Sequence, residues 1–348
     1  MKLIYRGTTY EYNPCTTPRR PFQPASNSQT YSLNYRGVSY RVEPKVNSGE
    51  HSVTPATYNL NYRGITYTVN KTPQGEVFVV SPTKTAKAYE LPMTAQIDQG
   101  IMYITLARPA VLNAINLEMA ELLQQQLFEA RQSSAIRAVV ITGKGRAFCS
   151  GGDLKFAVQA NPDTPGDSFL ALTAVLNRCV EEIRSMPKAV IASINGVAAG
   201  AGLFLALACD LRIMAKSAYL KQSNTSYGLA TPAGGTFTLP RFVGIGRAME
   251  IVMLDQQIAA KTAIKLGLVN RIVPHYALAE NTQALAKHVA QMPIETLGRM
   301  KQLINQSFNH SLNEQLAAER EIMASCANSS EGREGLSAFL QKRRPLYR

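Results

Sequence analysis

The sequence predicts an α/β layered domain, preceded by a small region of β-hairpins and closed by a run of helices. Three observations predict it. Between about Met93 and Lys261, short apolar runs alternate with segments of helical period, the pattern of strands layered against helices. Beyond Lys261 the pattern is almost wholly helical. Within the first 70 residues one eight-residue motif recurs, as LIYRGTTY at 3–10, LNYRGVSY at 33–40 and LNYRGITY at 60–67.

Each copy of that motif places Tyr, Thr, Val or Ile, which favour pleated backbone, around an Arg-Gly pair. Glycine permits a turn or bulge there, so each copy is expected to form a small hairpin. Between the copies lie TTPRRPFQPASNSQT and EPKVNSGEHSVTPAT, which have little to bury. An isolated hairpin is marginal in water, so the copies are expected to need each other or a protein partner. They carry no nucleophile–base pair, and docking or localisation is the role they fit. The expected organisation is hairpin repeats over 1–70, a linker over 71–92 and the α/β domain over 93–348.

In that domain residues 101–106 read as a strand. Met119, Leu122, Leu123, Leu127 and Ala130 then fall on one stripe of an amphipathic helix. Residues 138–142 (AVVIT), 189–194 (AVIASI) and 211–214 are further buried strands, the first closed by the turn GKG. Helices are expected near 261–267, 278–291, 295–308, 312–325 and 333–341.

Composition narrows the function classes. With 45% hydrophobic and 18% charged residues the chain is globular rather than disordered. No apolar run reaches the length of a membrane span, and MKLIYRGTTYEY has neither the apolar segment nor the cleavage site of a secretion signal. Cys15, Cys149, Cys179, Cys209 and Cys326 are odd in number and scattered, so reduced thiols and a cytoplasmic chain are expected. The four histidines are isolated and no CxxC spacing occurs, so no metal is expected. No GxGxxG with a later acidic residue supports a dinucleotide fold. Of the net charge of +13, the first 90 residues hold +6 (11 basic, 5 acidic) and the rest +7 (26 basic, 19 acidic). Without a dense Lys/Arg run before KRR at 342–344, this is a solvated basic surface, and no nucleic-acid partner is expected.

Two loops carry the chemistry. AFCSGGDLK at 147–155 follows a strand, and AAGAG at 198–202 opens the helix-favouring stretch 203–208. If their strands lie side by side, two backbone N–H groups converge on one oxygen. Such a pair polarises a carbonyl and stabilises an enolate or tetrahedral oxyanion. The other reading of the same residues is tight packing of a glycine-rich helix against a sheet, and the residues alone leave both open.

RPAVLNAIN, VVITGKGRAFCSGGDLK, PKAVIASINGVAAGAG, CDLRIM, YGLATPAGGTFTLPRFVG, AIKLGLVNRIVP and EGLSAFLQKRR follow one another across residues 93–348. In content and order they resemble the crotonase (enoyl-CoA hydratase/isomerase) superfamily. The resemblance implies a crotonase-like spiral of ββα units with a C-terminal helical region. It further implies a homotrimer or hexamer, an acyl-CoA thioester as substrate, a place in fatty acid metabolism and no covalently bound cofactor. It sets the thioester carbonyl between the amides of Gly152 and Ala201; the family usually has glycine at the second, and alanine keeps the N–H while adding a methyl. Ser150, Asp153, Leu154 and Lys155 match the loop that holds CoA. Phe339 and Lys342 match C-terminal residues that approach the nucleotide of a neighbouring subunit. The N-terminal repeats resemble an uncharacterised short YRG domain.

The chain departs from this pattern at the acids. The family's hydratases use two carboxylates, one to activate water and one to deliver a proton. Here the first falls at Phe204 and the second at Asn224, and an aspartate that several isomerases and a dehalogenase use falls at Pro232. Gln222-Ser223 resembles the Gln-Thr of dihydroxynaphthoyl-CoA synthases, with Thr231 where those enzymes have an aspartate. Asn224 and Thr231 are thus the polar candidates left for the catalytic position. Asp163, Asp167, Glu181, Glu182 and Tyr227 are further sources of a proton-transfer group, against their reading as solvated charges and a packed tyrosine. Double-bond isomerisation, C–C cleavage or thioester hydrolysis is expected rather than hydration. The alternative is a catalytically inactive acyl-CoA-binding or scaffold protein with the repeats as docking arm.

Overall fold

The computed structural model describes residues 91–347 in full and, ahead of them, the backbone of seven strands. The chain divides into two compact units, Met1–Ala88 and Tyr89–Arg348. In the first, β1 (Lys2–Tyr5) pairs antiparallel with β2 (Thr8–Glu11), and β3 (Tyr31–Tyr35) with β4 (Val38–Val42). A third, three-stranded antiparallel sheet joins β5 (Ala56–Tyr62), β6 (Ile65–Lys71) and β7 (Val77–Val80). The Arg-Gly pairs of the three repeats, and residues 81–90 of the expected linker, lie outside the described residues.

The second unit opens with β8 (Met93–Asp98), antiparallel to β9 (Ile101–Leu106), and continues through α1 (Leu117–Gln132). Three strand–strand–helix turns then follow. The first is β10 (Ala138–Gly143), β11 (Ala147–Cys149), α2 (Leu154–Ala160) and α3 (Pro165–Ser185). The second is β12 (Ala189–Ile194), β13 (Val197–Ala199) and α4 (Ala201–Ala208), and the third is β14 (Leu211–Ala215), β15 (Tyr219–Lys221), α5 (Gly235–Val243) and α6 (Ile245–Leu254). The chain goes on to β16 (Ile258–Ala259), α7 (Ala260–Lys265) and β17 (Arg271–Val273). It closes with α8 (Leu278–Ala290), α9 (Ile294–Gln306), α10 (Leu312–Asn328) and α11 (Ser330–Leu340). Each turn sends its first strand to a six-stranded sheet, ordered β17-β14-β12-β10-β9-β8, and its second to a four-stranded sheet, ordered β11-β13-β15-β16. This is the crotonase-like spiral.

The period of two along the strands explains both layers. Met102, Ile104, Val139 and Ile141 face the main core, while Ile101, Ala138 and Val140 face Ala286 and Ala290 of α8. With both faces covered, β9 and β10 read as continuous apolar runs. On α1, Asn116 caps the first turn by accepting from the Met119 N–H, and Met119, Leu123 and Leu127 are fully buried. Burial of each leucine contributes about 1.5–3 kcal/mol. All eight residues of α4 are buried, so AGLFLALA is apolar on every side. Among the described residues no helix is long and apolar enough to cross a membrane.

Candidate active site

β11 and β13 are parallel neighbours, so the chain leaves both at the same end of the smaller sheet. Residues 150–152 follow the first strand and Gly200, then α4, the second. The two loops touch. Gly151 has φ +111°, and a Cβ on it would stand 3.1 Å from the Ala199 carbonyl oxygen and 3.5 Å from the Ala201 nitrogen. A Cβ on Gly202 would meet the Cys149 carbonyl oxygen at 2.3 Å. Side chains at these positions would drive the loops apart.

The backbone bonding decides where the amides point. The Ile115 N–H donates to the Gly151 carbonyl at 2.8 Å, and the Asp153 N–H donates to the Ile115 carbonyl at 2.9 Å. Those bonds use the groups on either side of Gly152, so its own N–H is turned away from Ile115. Ala201 is the first residue of α4, where an amide has no intrahelical acceptor. Among the described residues, neither N–H meets a protein acceptor. Gly152 and Ala201 both line one cavity of about 240 Å³.

The cavity's apolar wall includes Phe169, Leu172 and Leu176 of α3, with Leu229 and Pro232 across from them in sequence. Its polar side chains are Ser150, Thr173, Ser223, Asn224 and Tyr227. No carboxylate, imidazole, amine, guanidinium or thiol is among its lining residues. Cys149 lies just behind the loop, but burial pushes its thiol up to about 12, so it is no thiolate nucleophile at neutral pH.

Residues 222–232 are braced from two sides. Gln222 is buried; its Nε2 donates to Thr231 Oγ1 at 2.9 Å, and its Oε1 accepts from the Thr225 N–H at 3.2 Å and the Thr225 hydroxyl at 3.1 Å. Asp255, at the end of α6 with φ +46°, accepts from the Ser223 N–H at 2.6 Å and from the Ser226 hydroxyl. Its charge is met by Lys221 Nζ at 3.8 Å. These contacts hold Ser223 in the left-handed region, at φ +63°, and present Asn224 beside it to the cavity. Asn224 Nδ2 donates to the Ala230 carbonyl at 3.2 Å, while its Oδ1 is buried with no partner. Asp255 is the residue that sequence reasoning missed; no local pattern marks it, because its partners arrive through the fold.

The other expected residues divide clearly. Phe204 is fully buried and absent from the lining; its ring lies against Gly235, where a Cβ would stand 2.5 Å from Cδ1. Thr231 is likewise outside the lining, and its hydroxyl oxygen accepts from Gln222 Nε2. Asp153 caps α2 by accepting from the Phe156 N–H at 3.0 Å and pairs with Arg108 at 2.9 Å. Ser150 donates its hydroxyl to the Val111 carbonyl at 3.3 Å, Leu154 lines the cavity and Lys155 is exposed. Phe339 and Lys342, at the end of α11, are exposed and not part of the lining. Asp163, Asp167, Glu181 and Glu182 do not line it either; Glu182 pairs with Arg131 at 2.6 Å. Tyr227 does, with its ring mostly exposed.

Comparison with known proteins agrees with this architecture. Residues 96–348 match the enoyl-CoA hydratase/isomerase family, and residues 1–67 match a domain of unknown function. The 1,2-epoxyphenylacetyl-CoA isomerase of Escherichia coli is 38% identical over 256 residues, 73% of this chain and 97% of that protein. A probable enoyl-CoA hydratase of Rhodobacter capsulatus is 39% identical over 256 residues, 72% of this chain and 96% of its own. The crystal structure of an enoyl-CoA hydratase from Polaromonas superposes with a TM-score of 0.71 at 34% identity, covering 74% of this chain and 99% of that one.

Proposed function

Because the chain belongs to the enoyl-CoA hydratase/isomerase family of enzymes, we propose that it processes acyl-CoA thioesters by polarising the thioester carbonyl with the Gly152 and Ala201 amides. The observation that carries this reading is the pair of unclaimed N–H groups bordering one cavity. When a proton leaves the acyl Cα, negative charge gathers on the thioester oxygen, and two fixed N–H dipoles stabilise it without reorganising. The apolar wall suits an acyl chain, and the volume admits an acyl group and thioester rather than a whole nucleotide. The CoA portion then extends over Ser150, Asp153, Leu154 and Lys155. Phe339 and Lys342 of a neighbouring copy complete the nucleotide end. Leu312, Leu316 and Met323 on α10 and Phe339 and Leu340 on α11 are large exposed apolar residues, which supports assembly of several copies.

The reaction is isomerisation, C–C cleavage or thioester hydrolysis rather than water addition. Hydration needs a group that activates water and one that delivers a proton. Phe204 is packed into the core, Pro232 has no polar side chain, and Asn224 is a neutral amide. The base is therefore atypical or supplied by solvent. The test is to give the full chain crotonyl-CoA and a 3-enoyl-CoA, following the conjugated-thioester absorbance. No hydration of crotonyl-CoA is expected, and migration of the 3-enoyl double bond into conjugation selects isomerisation among the three. Crotonyl-CoA hydration at family rates, unaffected by substituting Phe204 or Asn224, overturns the assignment. The lack of ionisable groups in the lining also supports a second reading, an acyl-CoA-binding protein without turnover. Tight binding with no conversion across acyl-CoA classes selects that one.

A further inference from the structure

Asp255 faces Ser223 across the end of the smaller sheet. β15 and β16 run antiparallel, with Tyr219 opposite Ala259 and Leu220 opposite Ile258. Carried three residues further, that register sets Ser223 opposite Asp255, where the ladder has already stopped. A side chain takes over there: Asp255 Oδ1 accepts from the Ser223 N–H at 2.6 Å. Its Oδ2 accepts from the Ser226 hydroxyl and has Lys221 Nζ 3.8 Å away. A carboxylate accepts through two oxygens and holds an N–H more strongly than a neutral carbonyl does. Neither facing residue is glycine, yet both occupy the left-handed region, Ser223 at φ +63° and Asp255 at φ +46°. Such backbone persists only where its surroundings over-determine it, and it gathers at binding and catalytic sites.

The braced segment reaches the cavity at two places. Ser223 is itself part of the lining, beside Asn224 and ahead of Tyr227. Two residues back, the Lys221 carbonyl accepts from the Gly200 N–H at 3.0 Å, and Gly200 immediately precedes the Ala201 amide. Glycine does little to fix its own backbone, so Gly200, at φ +49°, takes its direction from that bond. We propose that Asp255 is a positioning residue of the acyl site: by fixing 221–223 it sets both the cavity wall and the direction of the Ala201 N–H. This rests on the thioester reading above and goes beyond it. Asp255 is absent from the lining, so it acts through the backbone of its neighbours rather than by touching the thioester. Its leverage is large because a misplacement of about 1 Å at a reacting centre costs up to ~10²-fold.

The experiment measures binding of free CoA and of butanoyl-CoA to the full chain by titration calorimetry, in the natural sequence, Asp255→Gly, Asp255→Asn and Ser226→Ala. Glycine accepts the left-handed backbone, so Asp255→Gly removes the carboxylate without straining the end of α6. The tightening that the acyl group adds over free CoA is expected to shrink at least ~10-fold in Asp255→Gly, with free CoA bound within ~3-fold of the natural value. Asparagine tolerates the same backbone and keeps one oxygen for the Ser223 N–H, so Asp255→Asn should restore the tightening to within ~3-fold. Ser226→Ala, at an exposed position, is expected to cost ~3-fold and supplies the readout if Asp255→Gly does not fold. Tightening that stays at the natural value in every folded variant overturns the inference alone. So does an equal loss for free CoA and butanoyl-CoA, the mark of a merely structural brace. A natural sequence that binds neither ligand, or both equally, removes the thioester reading and this inference with it.

Discussion

Two polar regions of the same domain are built on opposite principles. Around Asp210 every charge is answered. Lys301 Nζ lies 2.7 Å from the Asp210 carboxylate and donates to the Ile183 carbonyl, and Asp210 also accepts from the Val190 N–H at 2.8 Å. Arg212 donates to the Cys209 carbonyl at 2.6 Å and the Leu268 carbonyl at 2.8 Å, with its guanidinium over the Phe242 ring. Burial raises the Asp210 pKa and lowers those of Lys301 and Arg212, with the neighbouring charges opposing it. The 240 Å³ cavity has the reverse character: no ionisable side chain in its lining, but two bordering amide N–H groups without protein partners among the described residues. Perturbed titration is a common mark of a functional site, yet structural ion pairs produce it too. Here the perturbed groups tie α3, α9 and the end of β12 together, and the unspent dipoles mark the cavity. The lesson is to look for unanswered hydrogen-bonding capacity as well as shifted pKa values.

The contrast breaks most sharply at Lys301. Lys301→Met removes one partner of a half-buried pair and leaves the Asp210 carboxylate uncompensated, a change that costs about 1–3 kcal/mol. Urea unfolding is expected to show that loss, while turnover per folded molecule stays within about 2-fold, because no residue of the cluster borders the cavity. Activity falling in step with a stable, folded Lys301→Met would make the cluster part of the site.

The converse change is Ala201→Pro. Proline is tolerated at the first position of a helix, so α4 is preserved while one N–H is lost. Loss of one oxyanion donor costs about 10²–10³ in rate. The expected result is a kcat lower by that factor with the unfolding midpoint little changed. Unaltered kcat would show that the Ala201 N–H does not touch the reacting oxygen.

How far the sequence foretells these regions follows from what each depends on. β9, β10, β12 and β14 are legible because they are covered on both faces, and α8 to α11 because their apolar residues recur at helical period. β8 buries only Met93, so its sequence has no alternation to detect. β11 and β13 are too short for a period, and α5 carries Pro240 within it. The two glycine loops are visible as loops, but their meeting depends on Ala147 lying opposite Val197, a pairing that only the family resemblance could anticipate. Asp255 shows the limit most clearly: a carboxylate between Leu254 and Gln256 reads as a surface charge until the fold sets Ser223 and Ser226 against it.

The smallest effect expected is shared by both regions. Cys149 lies behind the cavity loop, Cys209 precedes Asp210 and Cys179 is buried on α3; burial pushes all three thiols from the ordinary 9 up to about 12. In the unfolded chain these thiols lose their protons near pH 9, whereas the folded chain keeps them. The folded state then binds more protons, so stability is full below about pH 9 and falls as pH rises toward the folded value. The slope is about 1.4 kcal/mol per pH unit for each thiol. Unfolding by urea at pH 8 and pH 10 should therefore show a drop that Cys149→Ala and Cys209→Ala each reduce by about 1.4 kcal/mol. A reduction from Cys209→Ala but none from Cys149→Ala would mean that water reaches the thiol behind the cavity loop. The burial of Cys149 behind the loop would then not hold in solution, and the two regions would differ in hydration as well as in charge.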